Sequence, residues 1–139
     1  MPKPKVLFIC LGNSCRSIMA EALARRRCGD RWEAASAGIR PLGLVAPATL
    51  KVLAEIGVSP AGLYSKGLNE IELREYRLVI NLSDYSLHGL IIPPDSAIEV
   101  RNLPVPDPYG CSLAMYRRSR EAIDQVIIRE LCREEEPRP

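Results

Sequence analysis

Two cysteines, a glycine, an asparagine, two serines and an arginine fall within CLGNSCRS, residues 10–17. The segment follows the apolar run Val6–Ile9 and leads into IMAEALARRR. A plain structural turn has a use for Gly12 and Asn13. Glycine enters backbone conformations closed to other residues, and asparagine tolerates the left-handed region. Such a turn has little use for Cys10 and Arg16 as well. A loop of this composition can point several N–H groups inward as a cradle for an anion. A helix expected from about Ser17 adds its positive N-terminal end. The same field favours the thiolate form of Cys10. Arg16, six residues on, can reach around the loop and hold two anion oxygens as a fork. A nucleophile, a cradle and a bidentate cation around one point suit attack on a tetrahedral phosphorus or arsenic oxyanion.

A thiolate that attacks a phosphate ester must expel a leaving group that needs a proton, so a general acid is expected elsewhere in the chain. The segment VPDPYG, residues 105–110, holds Asp107 between two prolines in a loop that follows an expected strand. A Pro-Asp-Pro segment alone is more often a simple turn. Beside the Cys10 loop, the acid reading is favoured. Zinc is a weak alternative for Cys10 and Cys15. The only histidine is His88, no second close cysteine pair exists, and Arg16 would set a cation beside the metal. No metal and no cofactor are expected.

The elements that would position these residues alternate between strand and helix. KVLFIC (5–10) is short, apolar and β-rich, as a strand buried on both faces should be. Residues 17–28 read as a helix with Met19, Ala22 and Leu23 on one face and Gly29 as its stop. Residues 32–38 form a weaker strand ending in the small-residue turn SAG. Pro47 opens a helix through Ile56, with Leu50, Leu53 and Ala54 inward and Gly57 as its stop. A short helix is expected at 68–76, a strand at 77–82, a helical turn at 84–90 and an outer strand at 97–103. The last helix, 113–133, repeats Tyr116, Ser119, Ile123, Val126, Ile127 and Leu131 at helical spacing. The expected fold is α/β: one three-layer domain with a four-stranded parallel sheet and helices on both faces. Ligands in that architecture bind beyond the carboxyl ends of the strands, where Cys10 lies.

Composition sets the outer bounds. The chain of 139 residues fits one domain over 1–139, with 134–139 as a polar tail, and 47% apolar residues suffice for a core. The apolar run at 6–11 is too short to span a membrane and no signal-peptide cleavage pattern follows it. Five cysteines at irregular spacing make a poor disulfide framework. The protein is therefore expected in the cytoplasm, as a monomer with no membrane partner. Residues 1–66 carry ten Lys/Arg against four Asp/Glu, and residues 67–139 nine against thirteen. The basic half holds the CLGNSCRS loop, which suits an anionic ligand. Aromatics at 5%, with no basic-aromatic pattern, exclude a nucleic-acid module.

The motifs CLGNSCRS, SAG at 36–38 and DPYG at 107–110 resemble the low-molecular-weight protein tyrosine phosphatase family in order and spacing, over Lys5 to about Leu131. The resemblance implies a phosphoprotein substrate, a cysteinyl-phosphate intermediate and no metal. It implies that Cys10 is the nucleophile, Arg16 the phosphate-binding arginine and Asp107 the acid that later activates water. By the same resemblance Leu11, Gly12, Asn13, Ser14, Cys15 and Ser17 would complete a phosphate-binding loop. Ser17 would stabilise the thiolate, Asn13 would fix the loop by bonding to Ser36, and Tyr109 would wall the substrate cleft unless it is a packed loop tyrosine. Cys15 either captures oxidised Cys10 as a reversible disulfide or fills space behind the loop. Cys28, Cys111 and Cys132 read as small apolar side chains on or beside helices.

Three departures matter. Ile18 stands where many members have proline. Leu63 falls where many relatives carry a histidine that supports the loop asparagine, and Lys66 and Ser65 are candidates to replace it. Ser14 is small and polar where many tyrosine phosphatases have a bulky apolar residue, which leans toward the related protein arginine phosphatases. Leu11 and the SAG turn followed by Ile39 lean the other way, so phosphotyrosine ranks first and phosphoarginine second. Thioredoxin-coupled arsenate reductases share the loop but need two further cysteines after the third strand. Ser83 stands at the first position and no cysteine follows up to Ile92. A catalytically dead phosphate-binding module would be expected to lack Cys10, Arg16 or Asp107, and all three are present.

Overall fold

The computed structural model describes residues 2–87, 92 and 96–132. Its sheet has four strands, β1 (Lys5–Cys10), β2 (Glu33–Gly38), β3 (Leu78–Asn81) and β4 (Glu99–Asn102), all parallel in the order β2-β1-β3-β4. The two continuously apolar segments take the central places. Val6–Cys10 are all buried, and so is every residue of β3. The partly polar segment EVRN lies on an edge, where its exposed side chains meet water. Three α-helices follow β1, β2 and β4 in turn: α1 (Arg16–Cys28), α2 (Pro47–Glu55) and α3 (Leu113–Leu131).

Alternation along β1 splits the core in two. Val6 and Phe8 face a larger cluster with Met19, Leu23, Leu53, Ile80, Ile123 and Ile127, drawn from all three helices. Leu7 and Ile9 face a smaller cluster with Ala37, Tyr76, Val79, Leu87 and Ile92. That second face is covered by two 3-10 turns, Leu68–Glu70 and Leu73–Glu75. The expected three-layer α/β domain is thus present, with its second layer in tight turns.

Several element expectations need correction. The helix expected over 68–76 is interrupted, because Ile71 and Glu72 are extended and let Leu68, Ile71 and Leu73 each reach the smaller cluster. In α2, Leu50 and Ala54 are exposed, and Thr49, Val52 and Leu53 face inward. The helix is turned so that the Thr49 hydroxyl donates to the Ser14 carbonyl at 2.9 Å. α1 is buried all round from Arg16 to Ala24, since it lies between the sheet and α3, and its alanines permit close approach. Gly29 does not take the left-handed C-terminal conformation (φ −65°), whereas Gly57 does (φ 73°). The outer strand is shorter than 97–103. Residues 84–87 run as a bend and irregular chain rather than a helical turn, and 88–90 lie outside the described residues, as do Arg133 and the 134–139 tail.

The chain runs from β1 to β2 on one side and returns to β3 on the other. A crevice opens at such a switch, outside the carboxyl ends of the strands. Cys10, the last residue of β1, stands at that crevice. Among the described residues, no helix is long and apolar enough to cross a membrane.

Candidate active site

Residues 11–15 form the turn between β1 and α1, and it closes on a cavity of about 250 Å³. Cys10, Leu11, Gly12, Ser14, Cys15 and Arg16 line it from this loop, and Asp107 and Tyr109 from the proline-rich segment before α3. The three residues singled out from separate parts of the sequence as nucleophile, cation and acid therefore meet at one cavity. Arg40 and Leu42, from the loop after β2, complete it and were not foreseen. Their signal was positional: they follow SAG at a carboxyl strand end, the edge where a site is expected.

Asn13 sets the shape of the loop. It is fully buried and takes a φ of 47°, the left-handed conformation expected of it. Gly12 does not take a positive φ. Its lack of a side chain serves closeness instead, because a Cβ there would lie 3.0 Å from Leu42 Cγ. The glycine of SAG has the same use. A Cβ on Gly38 would sit 2.9 Å from Asn13 N and from Leu11 O, so only glycine lets the end of β2 abut the loop.

A directed hydrogen-bond chain runs from the Asn13 carboxamide to Cys10. Asn13 Nδ2 donates to Ser17 Oγ at 2.7 Å and to Ser36 Oγ at 3.0 Å. Ser36 in turn donates to Glu21 Oε1 at 2.5 Å. Because Ser17 Oγ already accepts from Asn13, its own hydrogen is available to Cys10 Sγ, 2.9 Å away. Asn13 Oδ1 accepts the Lys66 backbone N–H at 2.8 Å. Ser65 Oγ donates to the Gly12 carbonyl at 3.2 Å. Support near the Leu63 position thus comes from residues 65 and 66, and for Lys66 the loop contact is its amide rather than its ammonium. That ammonium is buried near Glu21, at 3.8 Å. Burial pulls its pKa below the usual lysine value, with the Glu21 charge acting in the opposite sense. Glu21 was not foreseen. Its signal is a lone charge among alanines in a helix that must lie against the sheet.

Arg16 is 4% exposed, and Nη1 donates to the carbonyls of Leu82 (3.1 Å) and Val105 (3.0 Å), which aim the guanidinium. Nη2 lies 3.6 Å from Asp107 Oδ2. Arg16 Nε is buried and has no partner, the only such side-chain atom among the described residues. Buried donors are nearly always satisfied, so a guanidinium lining a cavity with an idle N–H is prepared for an acceptor that enters from outside. The other carboxylate oxygen of Asp107 accepts the Tyr109 N–H at 3.0 Å, which folds the proline-rich loop over the cavity mouth. Tyr109 is about half-exposed at that mouth and is not a packed loop tyrosine.

Cys15 is turned toward α3, with Sγ 3.4 Å from Tyr116 Oη. Burial pushes its thiol pKa up, and burial first, then the bond to Cys15, does the same to Tyr116. This environment favours the space-filling reading of Cys15. The Ser14 hydroxyl accepts the Ala46 N–H at 3.0 Å and is held within the protein. Burial, with the adjacent Cys132 second, pushes Cys28 up to about 12. Cys28 and Cys132 pack into the helix-side core as expected, but Cys111 is exposed beside the start of α3.

Comparison with known proteins places this geometry. The model of the low molecular weight phosphotyrosine protein phosphatase family matches residues 5–135. The chain belongs to that family. An arsenate reductase 2 from Staphylococcus saprophyticus is 35% identical over 128 residues, covering 91% of this chain and 95% of that one. A low molecular weight protein tyrosine phosphatase from T. tengcongensis is similar in structure, with a TM-score of 0.75 and 29% identity over 91% of this chain and 99% of that one. An arsenate reductase in a phosphate-binding state reaches a TM-score of 0.79 at 27% identity, over 91% and 95%. The family therefore includes relatives named for two chemistries, both of which handle a tetrahedral oxyanion.

Proposed function

We propose that the chain is a protein phosphatase that cleaves phosphotyrosine monoesters through a phosphocysteine. The observation that carries this reading is the idle, buried Nε–H of Arg16 in a cavity that also holds Cys10 and Asp107. In the first step the Cys10 thiolate attacks phosphorus. The P–O bond to tyrosine breaks as the Asp107 carboxyl gives its proton to the leaving oxygen. Arg16 and the loop amides hold the three remaining oxygens. In the second step the Asp107 carboxylate takes a proton from water as the water oxygen attacks phosphorus. The P–S bond breaks, releasing inorganic phosphate and the thiolate. Leu11, Leu42 and Tyr109 give the cavity apolar walls that suit an aryl ring.

Phosphoarginine is the second substrate reading and rests on the small size of Ser14. Arsenate reduction, the activity named for several relatives, needs thiols that hand electrons on from the nucleophile. Here Ser83 occupies the first relay position, buried and donating to Asn81 Oδ1 at 2.7 Å, and residues 82–94 contain no cysteine. One side-by-side assay tests the ranking: phosphotyrosine peptide, phosphoarginine peptide, and arsenate with thioredoxin. Phosphotyrosine turnover should exceed the other two. Arsenate turnover with thioredoxin and none on either peptide would overturn the phosphatase reading.

A further inference from the structure

The side chains lining the cavity include two guanidiniums and a single carboxylate. Arg16 and Asp107 answer each other across 3.6 Å. Arg40 is answered by nothing: among the described residues its side chain has no hydrogen bond and no ion pair. By contrast Arg16, Arg25, Arg27, Arg101, Arg117 and Arg120 each bond to a carbonyl or a carboxylate. The base of Arg40 is nonetheless fixed. Ile39 N–H donates to the Cys10 carbonyl at 3.0 Å, Arg40 N–H to that of Leu11 at 2.8 Å, and Leu42 N–H to that of Gly12 at 2.9 Å. These bonds stitch the segment to the phosphate-binding loop itself. Arg40 is exposed where Arg16 is buried, so its charge stands toward the rim and Arg16 toward the floor.

We infer that Arg40 is a specificity residue that takes a carboxylate of the substrate polypeptide lying beside the phosphorylated residue. This rests on the phosphatase reading above and names the class of substrate within it: phosphotyrosine segments with an aspartate or glutamate next to the phosphotyrosine or one residue further. An extended peptide advances about 3.3 Å per residue, so such a carboxylate lies at the rim when the phosphate is on the floor. Leu42 and Tyr109, each about half-exposed, give the intervening aryl ring its walls. Without a partner of this kind, the rim keeps a cation that no group among the described residues answers. A rim charge acts on encounter and partner choice more than on the chemical step.

The test uses pairs of short phosphotyrosine peptides that differ only in glutamate or lysine beside the phosphotyrosine, on its N-terminal or its C-terminal side. kcat/KM is measured for the wild type, Arg40→Ala and Arg40→Glu. The wild type should prefer glutamate on at least one side by about two- to fivefold more than Arg40→Ala does, the range of a solvent-exposed ion pair. The excess should shrink as added salt shortens the screening length, and Arg40→Glu should shift the preference toward lysine. The glutamate-to-lysine ratio is internal to each variant, so a general loss of folding or activity cancels. Inhibition by inorganic phosphate is measured alongside. The same ratio in wild type and Arg40→Ala would overturn the inference. So would a loss of phosphate inhibition in Arg40→Ala as large as its loss on the glutamate peptide, which would make Arg40 a ligand of the phosphate. Turnover without charge preference removes this inference alone. No turnover of any phosphotyrosine peptide removes the proposed function and this inference with it.

Discussion

Asn13 combines a φ of 47° with a carboxamide engaged by three buried partners: the hydroxyls of Ser17 and Ser36 and the amide of Lys66. Alanine at 13 would be strained in that backbone conformation and would leave those groups without their partner. Asn13→Ala should lower stability by roughly 2–4 kcal/mol in urea unfolding, combining the left-handed strain with lost buried hydrogen bonds. Asn13→Gly, which enters that conformation freely, should fall between alanine and wild type. Equal losses for the two variants would show that the backbone conformation is not the constraint. At this scale the side chains that meet at the cavity were legible in the sequence, because Cys10, Arg16 and Asp107 are residue types with few structural uses in such positions. Glu21 was not legible. A glutamate in a helix ordinarily reads as a solvated charge, and only the burial of α1 on all sides turns it into the end of the Ser36 bond. Arg40 escaped notice for the complementary reason: an arginine in a loop looks ordinary until its lack of a partner among the described residues can be seen.

At the scale of elements, α2 and α3 are held together on their outer side by one carboxylate. Glu55 accepts from Arg117 Nη2 at 2.7 Å and Nε at 3.0 Å, and from Arg120 Nη1 at 2.9 Å, while Arg120 Nη1 also reaches the Val52 carbonyl at 2.8 Å. The hydrogen bonds from Arg117, with those from Arg120 adding to them, pull Glu55 down to about 2 from an ordinary 4.5. A carboxylate lowered on folding contributes stability above its unfolded pKa, and the contribution is lost as pH falls through the folded one. Between about pH 4.5 and 2, Glu55→Gln should therefore lose less stability on acidification than the wild type, as read from urea midpoints across that range. Parallel acid limbs in the two proteins would contradict this. Legibility at this scale followed period and length. The central strands β1 and β3, the latter Leu78–Asn81 within the expected 77–82, and the six inward positions of α3 stand out because their spacing alone defines them. The inward face of α2 was misread because Thr49 is drawn in by a hydrogen bond to the Ser14 carbonyl, and a hydrophobic pattern is blind to that. The 68–76 segment was misread because its apolar residues serve a sheet face through turns, at no helical period.

At the scale of the whole molecule, the strand order β2-β1-β3-β4 opens a crevice where β1 and β3 part, and the loop at 10–17, the Asp107 segment and the Arg40 loop all come to that one end of the sheet. The alternation of strands and helices was enough to anticipate the sheet and the edge that would carry the site. It could not separate the two chemistries for which relatives are named, because a loop of this composition suits thiolate attack on a phosphorus or an arsenic oxyanion alike. Under the proposed function they would differ after that attack, in hydrolysis by water that Asp107 would direct rather than in electron transfer from further thiols. The measurement that bears most directly on the phosphatase reading is a rapid acid quench during turnover of a phosphotyrosine peptide labelled in its phosphate, with peptide mapping of the quenched chain. A phosphoryl group on Cys10, present during turnover and gone once substrate is exhausted, is the expected result. Turnover with no phosphoryl group on Cys10, or with one on another residue, would contradict it.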